Sequence, residues 1–240
     1  MTNRLFAAAL LVLVAGSATA AMTPEQIVAA LRQPENSTGN IADAVEEATG
    51  ARGWMSADMK PIYDTKIVGR AVTALLRPVL KNDARKYPNY ALQILDEAPS
   101  GSVLVYVLED GLEIAGMGNL MATTAKVRGL EAAVIDGAVR DIGEIRQIQF
   151  PVWSRRVSPA TSVGRLVAVA KQIPVTCGSI PVHPGDYIVG DADGVVVVPQ
   201  AAAERVIELL KDYDRKESSM IPIIKREKSM LKALEIYNRY

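Results

Sequence analysis

Chemistry in this chain concentrates between Gly118 and Glu144, GNLMATTAKVRGLEAAVIDGAVRDIGE. Arg140, Asp141 and Glu144 supply a cation and two carboxylates within five residues. If the chain is helical from Ala138 onward, spacings of three and four put all three side chains on one face. Separated from Arg140 by twenty intervening residues is Asn119, at the expected start of a helix, where unpaired N–H groups and the positive dipole end favour an anion. A carboxylate ligand, a hard cation and an arginine can meet at such a place. The bland alternative is a solvated helix face with a local ion pair. Against it stands the position directly after an apolar strand, because ligands of open α/β sheets collect beyond the carboxyl ends of strands.

The elements that must position these groups follow from apolar runs and punctuation. Asn119 to Arg128 reads as a helix ended by Gly129, Ala132 to Ile135 as a strand, and Asp136-Gly137 as a turn. Upstream, Thr23 caps a helix with Pro24 in its first turn, and a second helix covers Ile41 to Thr49, ended by Gly50. Met59 to Tyr63 and Lys66 to Leu76 read as strands, Lys81 to Tyr87 as polar loop, and Asn89 to Glu97 as a helix. Ser102 to Leu108 and Leu112 to Gly116 flank Glu109-Asp110-Gly111, which signals a hairpin. Val152 to Arg155, Gly164 to Ala170, Ile180 to Val182, Asp186 to Val189 and Val195 to Val198 are short strands. Helices over Ala201 to Lys216 and Ile224 to Tyr237 close the chain. The strands after Gly164 are joined by turns, so a mixed sheet in one α/β domain is expected.

Composition narrows the function classes. Basic and acidic residues balance at 27 each, with no like-charge block, which points away from a nucleic-acid partner. One cysteine excludes an intrachain disulfide, and one histidine with one cysteine excludes the usual zinc sets, so a metal here must be held by oxygen. Residues 1–20, with Arg4, an apolar run from Leu5 to Ala15 and Ala18-Thr19-Ala20, read as a cleavable secretory signal. The run is short for a membrane span. The expected mature protein is residues 21–240, periplasmic or secreted and free of the membrane.

Other groups are assigned structural roles. Gly116-Met117-Gly118 lacks the third glycine of a dinucleotide fingerprint. Lys126 reads as solvated surface, Cys177 as a packed thiol, Trp54 and Trp153 as packing, and Asp191 with Asp193 as turn chemistry. His183 is assigned no chemistry.

Three blocks together resemble one family: residues 40–73 (NIADAVEEATGARGWMSADMKPIYDTKIVGRAVT), 118–144 and 181–199 (PVHPGDYIVGDADGVVVVP). The chain resembles the regulator of ribonuclease activity A-like family, and within it the 4-hydroxy-4-methyl-2-oxoglutarate / 4-carboxy-4-hydroxy-2-oxoadipate aldolases. The resemblance implies a β/β/α swivelling-type sandwich assembled as a homotrimer or homohexamer. It also implies a lyase that cleaves 2-oxo acids through a pyruvate enolate with magnesium or manganese, and decarboxylates oxaloacetate as a side activity. By the same resemblance Asp141 is the metal ligand, Arg140 contacts substrate, and the N–H groups of Leu120 and Met121 grip the substrate carboxylate. Asp43 matches an acid near the site and Glu217 one from a neighbouring subunit; with Glu144 they would order a proton-accepting water. The family carries an acid where this chain has Asn119, which keeps open a second reading, a non-catalytic binding or regulatory protein on the same scaffold.

Overall fold

The computed structural model describes residues 21–79 and 85–237. The secretory signal read at 1–20 lies outside the described residues, as does the start of the polar loop from Lys81. Helices α1 (Pro24–Leu31) and α2 (Thr38–Thr49) lead into strands β1 (Lys60–Pro61) and β2 (Ile67–Pro78). Next come α3 (Tyr90–Glu97), β3 (Ser102–Leu108), β4 (Ala115–Met117), α4 (Asn119–Val127), β5 (Ala132–Val139), α5 (Ile142–Gln147) and β6 (Val152–Val157). Strands β7 (Leu166–Lys171), β8 (Val175–Cys177), β9 (Ile180–Val182), β10 (Tyr187–Gly190) and β11 (Val195–Val198) precede α6 (Ala203–Glu227) and α7 (Met230–Leu234).

The expected mixed sheet is present. Among the described residues nine strands form one sheet in the order β1-β6-β5-β3-β2-β10-β11, with β4 on β5 and β7 on β2. Pairings β2–β3, β3–β5, β4–β5 and β5–β6 are parallel, and helices α3, α4 and α5 make the crossovers parallel strands need. Strands β7, β10 and β11, joined by turns, pair antiparallel. The nearly closed sheet sends alternate residues to opposite faces. Leu104, Tyr106, Ala133 and Ile135 face the cluster under α3–α5. Val103, Val105, Val107, Ala132 and Val134 face a cluster with Trp153, Met55, Met59 and the β8–β9 hairpin. The Val195–Val198 run divides likewise, with Val196 and Val198 under α1, α2 and α6. Cover on both faces is why these strands read as continuous apolar runs.

Several local expectations are overturned. Ser102–Leu108 and the next strand do not form a hairpin. Strand β6 occupies one edge of β5 through Val139, so β3 and β4 share the other; β3 ends at the pair Val107–Asp136 and β4 resumes at Ala115–Ala138. Both run parallel to β5, so Glu109-Asp110-Gly111 begins a detour, not a reversal. Asp136-Gly137 is no turn either: β5 continues to Val139 with a bulge opposite Arg155. The strand expected over Met59 to Tyr63 shrinks to β1. Helix α6 runs past Lys216 to Glu227; Lys228 ends it in the left-handed region, and the Ser229 hydroxyl accepts from the Lys232 N–H to start α7.

Candidate active site

The N-terminus of α4 meets the end of β5 because β4 and β5 lie side by side. Met117 pairs with Val139, the Arg140 N–H donates to the Met117 carbonyl (3.1 Å), and the chain turns into α4 on one strand and α5 on the other. Asp141 caps α5 at φ 57°, ψ 35°. Aspartate tolerates that left-handed conformation better than most residues, and such positions recur where surrounding structure aims a functional group. The carboxylate turns back to α4, where Asp141 Oδ2 accepts the Asn119 N–H at 3.0 Å and lies 3.6 Å from Arg140 Nε. Gly118 makes the approach feasible: a Cβ there would fall 2.6 Å from Asp141 Oδ2 and 3.0 Å from Arg140 Nε.

Arg140 and Asp141 are therefore not neighbours on a helix, as their spacing suggested. They precede α5, and only Glu144 lies within it. Glu144 is exposed and does not line the cleft.

Beside this corner is a cleft of about 400 Å³. Gly116 to Met121, Arg140 and Asp141 form its floor, and Leu92, Leu95, Thr124 and the Thr161–Val163 loop its walls. Ala115 holds that loop by donating its N–H to the Ala160 carbonyl (2.8 Å). The N–H groups of Leu120 and Met121, in the first turn of α4, have no intrahelical acceptor and no side-chain cap. The Asn119 amide, by contrast, is already taken by Asp141. The Asn119 Oδ1 accepts from the Thr123 hydroxyl (3.2 Å). The Arg140–Asp141 pair is half exposed, so its attraction contributes little to stability and leaves both groups open to a ligand.

The remaining expected site residues lie elsewhere in the chain. Asp43 is exposed on α2, and Glu217 on α6 accepts from Asn40 Nδ2 (3.3 Å). Neither lines the cleft within one chain. The roles read for Lys126, Cys177 and Asp191 match their surroundings. Lys126 is exposed and donates to the Ile148 carbonyl, and Cys177 is fully buried. Asp191 Oδ1 accepts the Asp193 N–H (3.0 Å) within the turn, while the same carboxylate also accepts the Thr38 N–H (2.9 Å) and hydroxyl (2.6 Å) at the start of α2. Trp153 is buried, whereas Trp54 is 38% exposed with the Arg52 guanidinium over its ring. The cleft walls went unnoticed in the sequence, since Leu92 and Thr161–Val163 carry no local chemical signal.

A hard cation suits the donors. Asp141 is the one carboxylate among the described lining residues, and magnesium-type ions are commonly held by one or two carboxylates, water and substrate oxygens. Among the described residues no group of three or more His, Cys, Asp or Glu could enclose a metal by itself. Asp141 could supply one ligand to such an ion, and the remaining ligands would have to come from elsewhere.

Fold and corner together define a mixed α/β protein in which an Arg–Asp pair at a strand end meets the start of a helix. The family described as "RraA-like: Aldolase/RraA" matches residues 38–197, and this chain belongs to it. A Halalkalibacterium halodurans protein provisionally named a 4-hydroxy-4-methyl-2-oxoglutarate aldolase is 33% identical over 177 residues, 71% of this chain and 76% of that protein. The crystal structure of an uncharacterized Pseudomonas syringae protein superposes with a TM-score of 0.75 at 27% identity, over 87% of this chain and 96% of that one. Streptomyces coelicolor RraAS2, described as an unusual member of the RNase ES inhibitor RraA family, superposes with a TM-score of 0.70 at 27% identity, over 80% and 93%.

Proposed function

We propose that this protein is a divalent-cation-dependent carbon–carbon lyase acting on 2-oxo acids through a pyruvate enolate. In this reading it performs retro-aldol cleavage of 4-hydroxy-4-methyl-2-oxoglutarate-type substrates and also decarboxylates oxaloacetate. The observation that carries the reading is the corner itself: Asp141 and Arg140 stand at the start of α4, beside the uncommitted amides of Leu120 and Met121.

Each group has a role. The Leu120 and Met121 N–H groups bind the substrate carboxylate, as helix starts bind anions. Asp141 would hold magnesium or manganese, and the ion, when bound, would supply Lewis-acid polarisation of the 2-oxo group. Arg140 orients the oxo acid and stabilises negative charge as the bond breaks; losing one such preorganised charge costs roughly a hundred- to a thousandfold in rate. Glu144, Asp43 or Glu217 would order the water that takes the proton from the 4-hydroxyl. For Asp43 and Glu217 this role requires a homotrimer or homohexamer that brings another copy against the cleft. We also propose that residues 1–20 export the protein to the periplasm or medium.

Asn119 favours a second reading, a non-catalytic binding or regulatory protein, because it leaves the cleft with one carboxylate among its described lining residues. One assay separates the two. Purified protein is given oxaloacetate or 4-hydroxy-4-methyl-2-oxoglutarate with magnesium, manganese or EDTA, and pyruvate is read through a coupled dehydrogenase. Cation-dependent pyruvate release is expected. Absence of turnover on both substrates with either cation would overturn the lyase in favour of the binding protein.

A further inference from the structure

The bulge in β5 has a partner network unlike anything else along that strand. Between the pairs Ile135–Ser154 and Ala138–Arg156, β5 advances three residues while β6 advances two, so Asp136 and Gly137 together face Arg155. Bulges of this kind re-aim the strand beyond them. Here the strand beyond is Ala138–Val139, leading directly into Arg140 and Asp141.

Both oxygens of Asp136 are bound. Oδ1 accepts from Arg155 Nη1 at 3.2 Å, and Oδ2 accepts the Gly178 N–H, in the β8–β9 turn, at 2.7 Å. Arg155 is itself held on its other side, donating from Nε to Asp58 Oδ2 at 3.0 Å. The three side chains are between 14% and 31% exposed, shielded enough for their charges to attract strongly. Gly137 completes the fit: an added Cβ would fall 2.9 Å from Leu108 Cδ2 and 3.2 Å from the Gly111 carbonyl. The bulge is thus clamped by charge on one side and filled by Leu108 on the other. At the same point β5 exchanges partner β3 for β4, the strand that delivers Gly118 and Asn119.

We propose that Asp136, clamped by Arg155 and the Gly178 amide, is a positioning residue that fixes the bulge through which β5 carries Arg140 and Asp141 to the start of α4. Asp136 touches no cleft group itself. Asp58 belongs to the same device by holding Arg155. The inference rests on the lyase reading for its kinetic consequence, but the geometry it describes can be read without turnover.

The test uses three variants of the full chain, Asp136→Asn, Arg155→Lys and Asp58→Asn. Asn at 136 keeps an acceptor for Gly178 and loses the charge; Lys at 155 keeps charge but cannot bridge two carboxylates as a planar fork does. Amide hydrogen exchange is followed by NMR at Arg140, whose N–H bonds Met117, and at Asn119, whose N–H bonds Asp141, with Val189 and Leu209 as distant controls. Selective acceleration of Arg140 and Asn119 by tenfold or more in Asp136→Asn and Arg155→Lys is expected, with a smaller effect in Asp58→Asn. On oxaloacetate, kcat should fall ten- to a hundredfold with KM changed less than threefold, because misplacement by about 1 Å can cost a hundredfold. Unchanged exchange at Arg140 and Asn119, or acceleration shared equally by the controls, would overturn the positioning role. A wild-type protein without turnover but with the selective exchange change would sink the lyase and leave the clamp standing.

Discussion

Gly118→Ala isolates the geometry on which the site depends. Gly118 adopts φ −136°, ψ −173°, extended backbone open to any residue, so alanine meets no backbone strain there. The consequence is steric. The new Cβ would lie 2.6 Å from Asp141 Oδ2, where ordinary contact begins at 3.4 Å, so the carboxylate must retreat by 3.4 − 2.6 = 0.8 Å. Arg140 is met at 3.0 Å (Nε) and 3.2 Å (Cγ), so both charged groups move together. A retreat of that size stretches the 3.0 Å bond from the Asn119 N–H beyond hydrogen-bond range. Since misplacement of about 1 Å can cost a hundredfold, kcat/KM should fall on the order of a hundredfold, or about 2.7 kcal/mol of transition-state stabilisation. Stability should change by less than about 1 kcal/mol, because Asp141 is partly exposed and water replaces the lost donor. Coupled pyruvate assays give the first number and thermal melting the second. Wild-type kcat/KM in a folded Gly118→Ala protein would refute the idea that this close approach sets the catalytic geometry.

Three further outcomes are expected. Arg140→Lys should retain less than about 1% of kcat/KM in the pyruvate assay, since a point charge replaces a planar fork. Asn119→Asp should tighten manganese binding several-fold, measured by electron paramagnetic resonance titration, by adding a second oxygen anion at the cleft floor. The Cys177 thiol should resist alkylation at pH 8 until the protein unfolds. Burial, and then the nearby Asp136 charge, push it well above the usual thiol range. The stability this lends is complete below the unfolded thiol's value near 8.5 and is lost as pH climbs from there toward the folded value, at up to about 1.4 kcal/mol per pH unit. Urea melts between pH 8 and 10 should show the decline, and Cys177→Ala should flatten it.

Much of this molecule is legible residue by residue. The Val195–Val198 run, the Thr23 and Pro24 helix start, the glycine stops at Gly50 and Gly129, and the helix opening at Asn119 all depend on groups a few bonds apart. Local propensity decides such features. The residues of the candidate site were also conspicuous in the sequence, because Asn119, Arg140 and Asp141 are unusual neighbours for apolar strands, and the fold places them in one cleft.

What brings them together is not local. Asp136-Gly137 has the composition of a turn, and it becomes a bulge because Arg155 on β6, Gly178 and Leu108 hold it within the sheet. Glu109-Asp110-Gly111 has the composition of a hairpin, yet β4 returns to the same edge of β5 because β6 covers the other. Asp141 then points at α4 through a left-handed backbone conformation that no three- or four-residue spacing encodes. A dipeptide's preference among turn, bulge and cap amounts to about 1 kcal/mol or less, whereas pairing and burial across distant strands sum to many times that. Residue type was written in the sequence; the aim of the side chains came only from partners far along the chain.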